Sequence, residues 1–240
     1  MELLVERLME RTEDRTVVSA HLGEFTTAVV SSGADGWRCG LASRLEGIGC
    51  EAELKGGCAT GMRTRDLACL AAGSGPETSL GMAAINSSLP RPDLEELNAA
   101  DLIEEKGRDA RVAVIGHFHF TERLRALAKE TMVFELKPKD ERDLPAERMA
   151  ELLPSADVVA VTGLTLLNGT FLEVLSYCRP GAFKVLLGPS VPLSPVLFDY
   201  GMNAVGGAVV SDIPALVHAL TSGVHFRGLP GRRTVLLRKR

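Results

Sequence analysis

The chain has 240 residues, which is long for one compact domain and enough for two modest ones. Hydrophobic residues make up 45% and charged residues 24%, an ordinary globular composition that excludes disordered, collagen-like and membrane-embedded classes. The formal charge is −4, and no dense stripe of Lys and Arg precedes the short basic tail at Arg232-Arg233 and Arg238 to Arg240, so nucleic acid is not an expected partner.

Targeting signals and disulfides are not indicated either. Acidic residues occur from Glu2 onward, and no apolar run reaches about 18 residues, so we expect a cytoplasmic protein with no membrane partner. The five cysteines form no C-x-x-C pair and no close Cys/His cluster, which indicates reduced thiols. A metal role for Cys50 and Cys58, which lie among glycines, is the alternative.

The first half of the chain predicts a small α+β domain. An amphipathic helix over residues 1–13 is followed by three short β-rich segments that indicate an antiparallel meander. Helical patterns then follow, with Thr64 and Asn98 as expected N-caps. The meander strands are expected near 16–23, 25–32 and 37–43, and the helices near 64–73, 77–89 and 98–107.

After Gly107 the pattern changes to apolar strands alternating with helices, which is typical of a parallel sheet covered on both faces. We therefore predict a Rossmann-like α/β domain over residues 108–240, preceded by the α+β domain over residues 1–107. The first four strands are expected in the segments RVAVIGHF, TMVFELKP, DVVAVTG and AFKVLLG, and a later strand is expected over 204–210. Helices are expected near 122–130, 145–153, 168–178 and 214–220.

Ligands in open α/β sheets bind outside the carboxyl ends of the strands, so the loops that follow the strands are the first candidate site. Gly116 allows a sharp turn into a helix whose free N–H groups could hold an anion, and Glu135 follows 19 residues later, where an acid could reach a ribose. His117 and Phe118 replace the glycines of a dinucleotide fingerprint, which disfavours a full dinucleotide. A solvated carboxylate is the alternative for Glu135.

His117 and His119 form an H-x-H pair that suits acid/base chemistry or a metal, with an ordinary loop histidine as the alternative. The polar residues after the third strand could bind a ligand or cap the next helix, and capping is the stronger assignment for Asn168. These polar residues are Thr162, Thr165 and Asn168, together with Gly163 in the same loop.

The loop after the fourth strand contains two prolines, which make either a turn or a rigid wall for a ligand; we favour the wall. Its candidate residues are Gly188, Pro189, Ser190 and Pro192. In the first half, Asn86 interrupts an apolar helix, and Leu41, Ala42 and Ser43 end a strand. For these four residues, local backbone hydrogen bonding and an ordinary turn compete with a role in ligand binding.

Five separated segments together resemble the putative heavy-metal-chelation family, in matching order and over nearly the whole chain. They are CGLASR, GPETSLGMAAINSSL, VAVIGHFHF, DVVAVTGLTLLNGT and LLGPSVPLSPVLFDYG. The resemblance implies a domain like the N-terminal part of enolase followed by a Rossmann-like domain, with a site between the two. His119 departs from the proline that the family tends to have after IGHF, which puts a tight turn there in doubt.

The resemblance also implies a function, namely condensation or hydrolysis in the synthesis of pterin, flavin or siderophore-like metal chelators. In that hypothesis His117 is the acid/base, Glu135 and the Thr162–Asn168 loop orient the ligand, and Asn86 closes the site. The alternative is a non-catalytic module that binds a metal chelate or a nucleotide-like ligand. The expected partners are a small molecule and a metal or metal chelate; the cofactor is unknown, and a homo-oligomer is left open.

Overall fold

The computed structural model describes residues 1–45, 59–91, 93–138 and 140–239. Its N-terminal part begins with the predicted amphipathic helix, shorter than expected, and continues into the predicted antiparallel meander with strand order β1-β2-β3. The elements are α1 (Glu2–Met9), β1 (Thr16–Leu22), β2 (Thr26–Gly33) and β3 (Gly36–Ser43). Strands β1 and β2 are rich in Val and Thr, residues that pack well on a pleated sheet.

Among the described residues, the meander is followed by helices α2 (Thr64–Ala68) and α3 (Glu77–Ser88). Helix α3 is buried almost all round because it lies on β2 and β3 and contacts the C-terminal part on its other side. The closest approach to the sheet is at Gly40, where an added Cβ would lie 2.1 Å from the Ala83 carbonyl oxygen and 2.2 Å from the Ser87 nitrogen. Because Gly40 has no side chain, helix α3 can pack this closely against β3.

Replacing Gly40 by alanine is expected to destabilise the fold by about 1–3 kcal/mol, the usual cost of forcing extra atoms into a packed interior. The matched control is Gly181→Ala, because a Cβ there meets nothing within 4 Å. Urea denaturation of both variants measures the difference in unfolding free energy. If Gly40→Ala unfolded at the same urea concentration as Gly181→Ala, the close packing of α3 on β3 would be wrong.

The C-terminal part is built on a seven-stranded sheet with order β10-β9-β8-β7-β4-β5-β6, parallel except for the antiparallel pair of β9 and β10. Helices flank this sheet, so the predicted α/β class is confirmed. The strands are β4 (Arg111–Ile115), β5 (Glu130–Glu135), β6 (Asp143–Pro145), β7 (Val158–Thr162), β8 (Phe183–Leu187), β9 (Ala204–Val210) and β10 (Arg232–Arg238).

The helices of this part are short. They are α4 (Ala99–Gly107), α5 (Thr121–Leu127), α6 (Met149–Leu152), α7 (Leu164–Leu167), α8 (Phe171–Tyr177), α9 (Val196–Asp199) and α10 (Ile213–Thr221). Asn98 is the N-cap of α4, as predicted, and its side chain accepts a hydrogen bond from the Ala100 nitrogen. Thr64 is the first residue of α2 rather than its cap, because the chain is still extended at Arg63.

Alternate residues of the large sheet enter two different cores. Val112 and Val114 pack under α4 and α5, whereas Ala113 and Ile115 belong to a larger cluster that also contains α1 and α3. This larger cluster joins the N-terminal and C-terminal parts through one continuous apolar interior. The division into domains at residues 107 and 108 remains a prediction.

Three expectations about this part were wrong. The C-terminal segment is strand β10 rather than a basic tail, since its Val235 and Leu237 are buried while β9 and the Glu95 backbone hydrogen-bond to it. The turn at Gly116 does not lead directly into a helix: the next helix begins at Thr121, close to its predicted start at 122, because buried Phe120 holds the intervening loop against the core.

The third wrong expectation is that Asn168 caps the next helix directly. A short helix, α7, occupies the start of this segment, and α8 begins only at Phe171. The Asn168 side chain accepts hydrogen bonds from the backbone nitrogen and the hydroxyl of Thr170, which is the N-cap. The residue thus stabilises the turn between two helices.

The described cysteines, Cys39, Cys69 and Cys178, are free thiols. Cys50 and Cys58, for which a metal role was considered, lie outside the described residues. Within the described ranges, no helix combines the length and the apolar character needed to cross a membrane.

Candidate functional site

The order of the strands reverses between β4 and β7, which makes this point the switch at which ligands bind in open α/β sheets. Gly116 (φ 96°) follows β4 at this switch, and Gly188 (φ 132°) follows β8, the strand beyond β7; both glycines have left-handed backbone. Residues with a side chain rarely adopt this backbone conformation. The sharp turn predicted at Gly116 is present.

Predicted site residues from both parts of the chain form a continuous line of contacts at this edge. An added Cβ on Gly116 would lie 3.0 Å from the Thr162 Cβ, and one on Gly163 would lie 3.4 Å from the Ser190 Cβ. The buried Ser190 hydroxyl accepts a 2.8 Å hydrogen bond from the Ser43 nitrogen. Strand β3 of the N-terminal part is therefore tied to the loop that follows β8.

Other polar residues predicted for the site are engaged in local hydrogen bonds. The Thr165 hydroxyl donates to the Thr162 carbonyl oxygen at 2.7 Å, and Thr165 is buried. The Leu164 nitrogen donates to the Thr162 hydroxyl at 3.4 Å. These bonds, with those of Asn168, shape the loop after β7.

A cleft of about 510 Å³ opens at the carboxyl ends of β4 and β8 and extends over β9 and β10. The predicted residues His117, Phe118, Gly188 and Pro189 line it, together with His119. A volume of this size lies in the range that accommodates small ligands. The further lining residues come from α4, β9, β10 and the segment before β10: Asn98, Ala99, Ala100, Phe120, Leu187, Gly206, Gly207, His225, Phe226, Arg227, Arg232, Thr234 and Val235.

The remaining predicted residues lie elsewhere. Asn86 lines a separate cavity of about 40 Å³ between the two parts, where its amide nitrogen donates to the Leu41 carbonyl oxygen at 2.8 Å and its buried oxygen has no hydrogen-bond partner among the described residues. Leu41 and Ala42 are buried in the core. Ser190 and Pro192 lie in the loop after β8 but are not among the residues that line the cleft, and Glu135 ends β5, on the other side of β4 from β7 and β8.

His117 lies beside a buried carboxylate. Its Nδ1 is 3.6 Å from the Oδ2 of Asp143, and the side chains are 35% and 0% exposed, respectively. The same Oδ2 accepts a 3.0 Å hydrogen bond from the Asp140 nitrogen, which fixes the carboxylate at the start of β6. A carboxylate on one ring nitrogen orients a histidine and leaves the other nitrogen available for proton exchange.

Aromatic rings form one wall of the cleft. Phe118 and Phe120 stack with their centroids 5.2 Å apart, and His119 meets Phe120 edge to face at 5.7 Å. Phe120 is 1% exposed and belongs to the core under α4 and α5, so it anchors the loop. The wall offers a flat apolar surface to a planar ligand.

The opposite wall is cationic. Arg227, Arg232 and His225 line it, and none of the described residues that line the cleft is Asp or Glu. Burial, and then the charge of Arg227, lower the pKa of Arg232. Burial lowers the pKa of His119 as well, with further contributions from Arg227 and Arg123 against an opposing one from Glu104.

Sequence reasoning missed Asp143, Arg227 and Arg232. Asp143 lies in the charged run KDERDLP, which is typical of a solvated turn, and nothing in it indicates that one carboxylate is buried. Both arginines fall after the last predicted helix, where no strand was predicted, and Arg232 was counted in a basic tail. Recognising the β-branched and apolar run TVLL within RRTVLLR as a strand would have placed Arg232 beside the sheet.

A metal bound directly by the protein would need several ligands in one place. Among the described residues no group of three or more His, Cys, Asp or Glu side chains is arranged to hold a metal ion. The three cleft histidines therefore do not form a set of metal ligands.

Fold and cleft together define a Rossmann-like α/β protein with an N-terminal α+β part and an opening at the strand ends. The chain belongs to the family described as "Putative heavy-metal chelation", whose model matches residues 98–236; a second model with the same description matches residues 5–89. The resemblance inferred from the sequence is confirmed. The description links the family to metals or to small molecules that bind them.

Similar proteins carry the same fold. Crystal structures of two proteins with unknown function from the DUF364 family are each 21% identical to this chain. That from Desulfitobacterium hafniense has a TM-score of 0.83 over 99% of this chain and 97% of its own, and that from Pyrococcus horikoshii has 0.84 over 99% of both. An uncharacterized protein of Methanocaldococcus jannaschii is 29% identical over 170 residues, and the match spans 66% of each chain.

Proposed function

We propose that the protein is an enzyme that binds a small planar metabolite in the cleft at the carboxyl ends of β4 and β8. The observation that carries the proposal is that His117, with a buried carboxylate at its Nδ1, lies in a cleft of about 510 Å³ beside stacked phenylalanines. A convergent pocket of apolar walls with a few polar groups is the usual form of a small-molecule site.

In this proposal His117 exchanges a proton with the ligand through Nε2. Asp143 is a positioning residue, because its buried Oδ2 lies 3.6 Å from Nδ1 and favours a ring orientation that leaves Nε2 for the ligand. Phe118 holds the flat face of the ligand. Condensation and hydrolysis both need such proton transfer.

The proposed substrate class is a precursor of a pterin, flavin or siderophore-like metal chelator. It rests on the family description, on the aromatic wall and on the absence of a protein ligand set within the described residues, which together favour a metal carried by the small molecule. The metal is then cargo of the product and takes no part in the proton transfer.

The N-terminal part contributes a wall of the proposed site, as an interdomain function requires. Pro189 lines the cleft, and the next residue, Ser190, is bonded to Ser43 at the end of β3. Asn86 in turn holds the Leu41 carbonyl oxygen two residues earlier on that strand. We propose that residues 1–107 act as a support that fixes the loop after β8.

A non-catalytic binding module is the second candidate. It is favoured by two observations: among the described contacts His117 is the sole cleft histidine in an ion pair with a carboxylate, and no Ser, Cys or Lys is among the described residues that line the cleft. In that function the cleft carries a metal chelate and releases it unchanged. We place either function in the cytoplasm, in keeping with the free thiols of the described cysteines.

A blocked cleft tests the binding that both candidates share. Thr234 is exposed and lines the cleft, so Thr234→Trp is expected to fill it and reduce the affinity for a bound pterin or flavin precursor by about tenfold or more. Calorimetric titration with a panel of these compounds measures the effect.

The matched control is Arg233→Trp, one residue earlier on β10, where the side chain is outside the lining and pairs with Glu96. This variant should bind like the wild type. Equal binding by all three proteins would place the ligand elsewhere, and no binding of any compound in the panel to the wild type would contradict the substrate class.

A further inference from the structure

The wall of the cleft opposite Phe118 is fixed by Arg232. Its Nε donates to the Phe226 carbonyl oxygen at 2.7 Å and its Nη2 to the Arg227 carbonyl oxygen at 2.5 Å, while its guanidinium lies 4.6 Å from the centroid of the Phe226 ring. These contacts tie the turn before β10 to the strand itself. The turn is thereby held in one position.

The same turn is fixed from its other end. The His225 ring accepts a 3.4 Å hydrogen bond from the Arg227 nitrogen and packs against Phe25 of the N-terminal part, with centroids 5.1 Å apart. The side chain of Arg227 is exposed and has no hydrogen-bond or ion-pair partner among the described residues. The backbone of Arg227 is therefore held by hydrogen bonds, and its guanidinium, unpaired among the described residues, lines the cleft.

The carboxylates near the cleft accompany its histidines, Asp143 beside His117 and Glu104 near His119, and none pairs with Arg227 or Arg232 among the described contacts. Arg232 is half-buried, its described hydrogen bonds go to carbonyl oxygens, and the lining contains two arginines and three histidines without a described acid. The N-terminus of α4, with its partial positive charge, lies in the same wall at Ala99 and Ala100. Because the whole chain carries a formal charge of −4, a cationic cleft is a local feature and not a consequence of net charge.

We infer that the cleft contains an oxyanion subsite in which Arg227 binds a phosphate or carboxylate group of the ligand, with Arg232 as its positioning residue. A planar guanidinium matches both anions through paired N–H donors. This inference rests on the proposed function and narrows its substrate class to an anionic molecule whose planar portion lies against Phe118 and whose charged group lies against Arg227.

Calorimetric titration with inorganic phosphate, and separately with citrate, tests the subsite at low ionic strength. We expect the wild type to bind at least one of them and Arg227→Gln to bind it about tenfold more weakly, as follows from the loss of a charge-assisted hydrogen bond. Arg233→Gln, an exposed arginine outside the cleft, is the matched control and should bind like the wild type. The arm that binds identifies phosphate or carboxylate as the anion.

Absence of binding in both arms, or equal weakening by Arg227→Gln and Arg233→Gln, would overturn the subsite. The readout is independent of catalysis: His117→Gln should retain anion binding even though it loses proton transfer. If anions bind through Arg227 but Thr234→Trp leaves pterin and flavin precursors bound, the subsite stands and the proposed function fails.

Discussion

Replacing His117 by glutamine is expected to lower the turnover of a pterin or flavin precursor by about 100-fold or more, because glutamine keeps hydrogen bonding but cannot exchange a proton at neutral pH. The histidine side chain is 35% exposed, so the variant should fold. The measurement is the steady-state turnover number on the compound that the binding panel identifies. His218→Gln, at an exposed position of α10 outside the cleft, should leave it unchanged.

The two candidate functions give different results in this experiment. For an enzyme, His117→Gln lowers the turnover number more than the affinity. For a binding module, the wild type returns the ligand chemically unchanged after long incubation and the variant alters affinity alone. Full turnover by His117→Gln would remove the histidine from the mechanism.

Replacing Arg15 by methionine is expected to destabilise the protein by about 1–3 kcal/mol, because the substitution removes the donor to the buried Ser31 hydroxyl and to the Gly36 carbonyl oxygen. Arg15 is 1% exposed and donates to Ser31, to the Gly36 carbonyl oxygen and to Asp35. Urea denaturation measures the loss. Arg63→Met, which removes an exposed arginine paired with Asp14, should cost less than about 1 kcal/mol.

The same cluster makes stability depend on pH. Arg15 and then Arg38 hold the pKa of Asp35 at about 2, below its usual 3.8. Because folding favours the ionised carboxylate, its stabilisation is complete above about pH 4 and is lost as the pH falls toward 2. Asp35→Asn should therefore flatten the stability profile between pH 4 and pH 2, and an unchanged profile would show that the pairing contributes nothing.

The spacing of hydrophobic residues along the chain was enough to predict most of the fold. The meander and the parallel strands alternate or run apolar over whole elements, and β9 was predicted over its full length. Prediction failed where tertiary contacts decide structure: β10, a short apolar run flanked by arginines, is a strand because β9 and Glu95 supply hydrogen-bond partners. The turn at Gly116 likewise leads into a loop and not directly into a helix, because Phe120 is buried.

The candidate site was less accessible to sequence reasoning. The rule that ligands bind at strand ends led to His117, Phe118, Gly188 and Pro189, which the structure brings into one cleft. It could not reveal that Asp143, in a charged run, is buried beside His117. Nor could it bring Arg227, more than 100 positions later in the chain, to the same opening, because that proximity follows from the antiparallel return of β10.

Histidine NMR tests most directly whether the ligand lies in the cleft between the aromatic and cationic walls. The chain has five histidines: His117, His119 and His225 line the cleft, whereas His21 lies in β1 and His218 in α10. Imidazole resonances are recorded while citrate, phosphate or a pterin is added. We expect the three cleft histidines to shift and the other two to remain in place; shifts confined to His21 or His218, or absent from His117, would contradict the account.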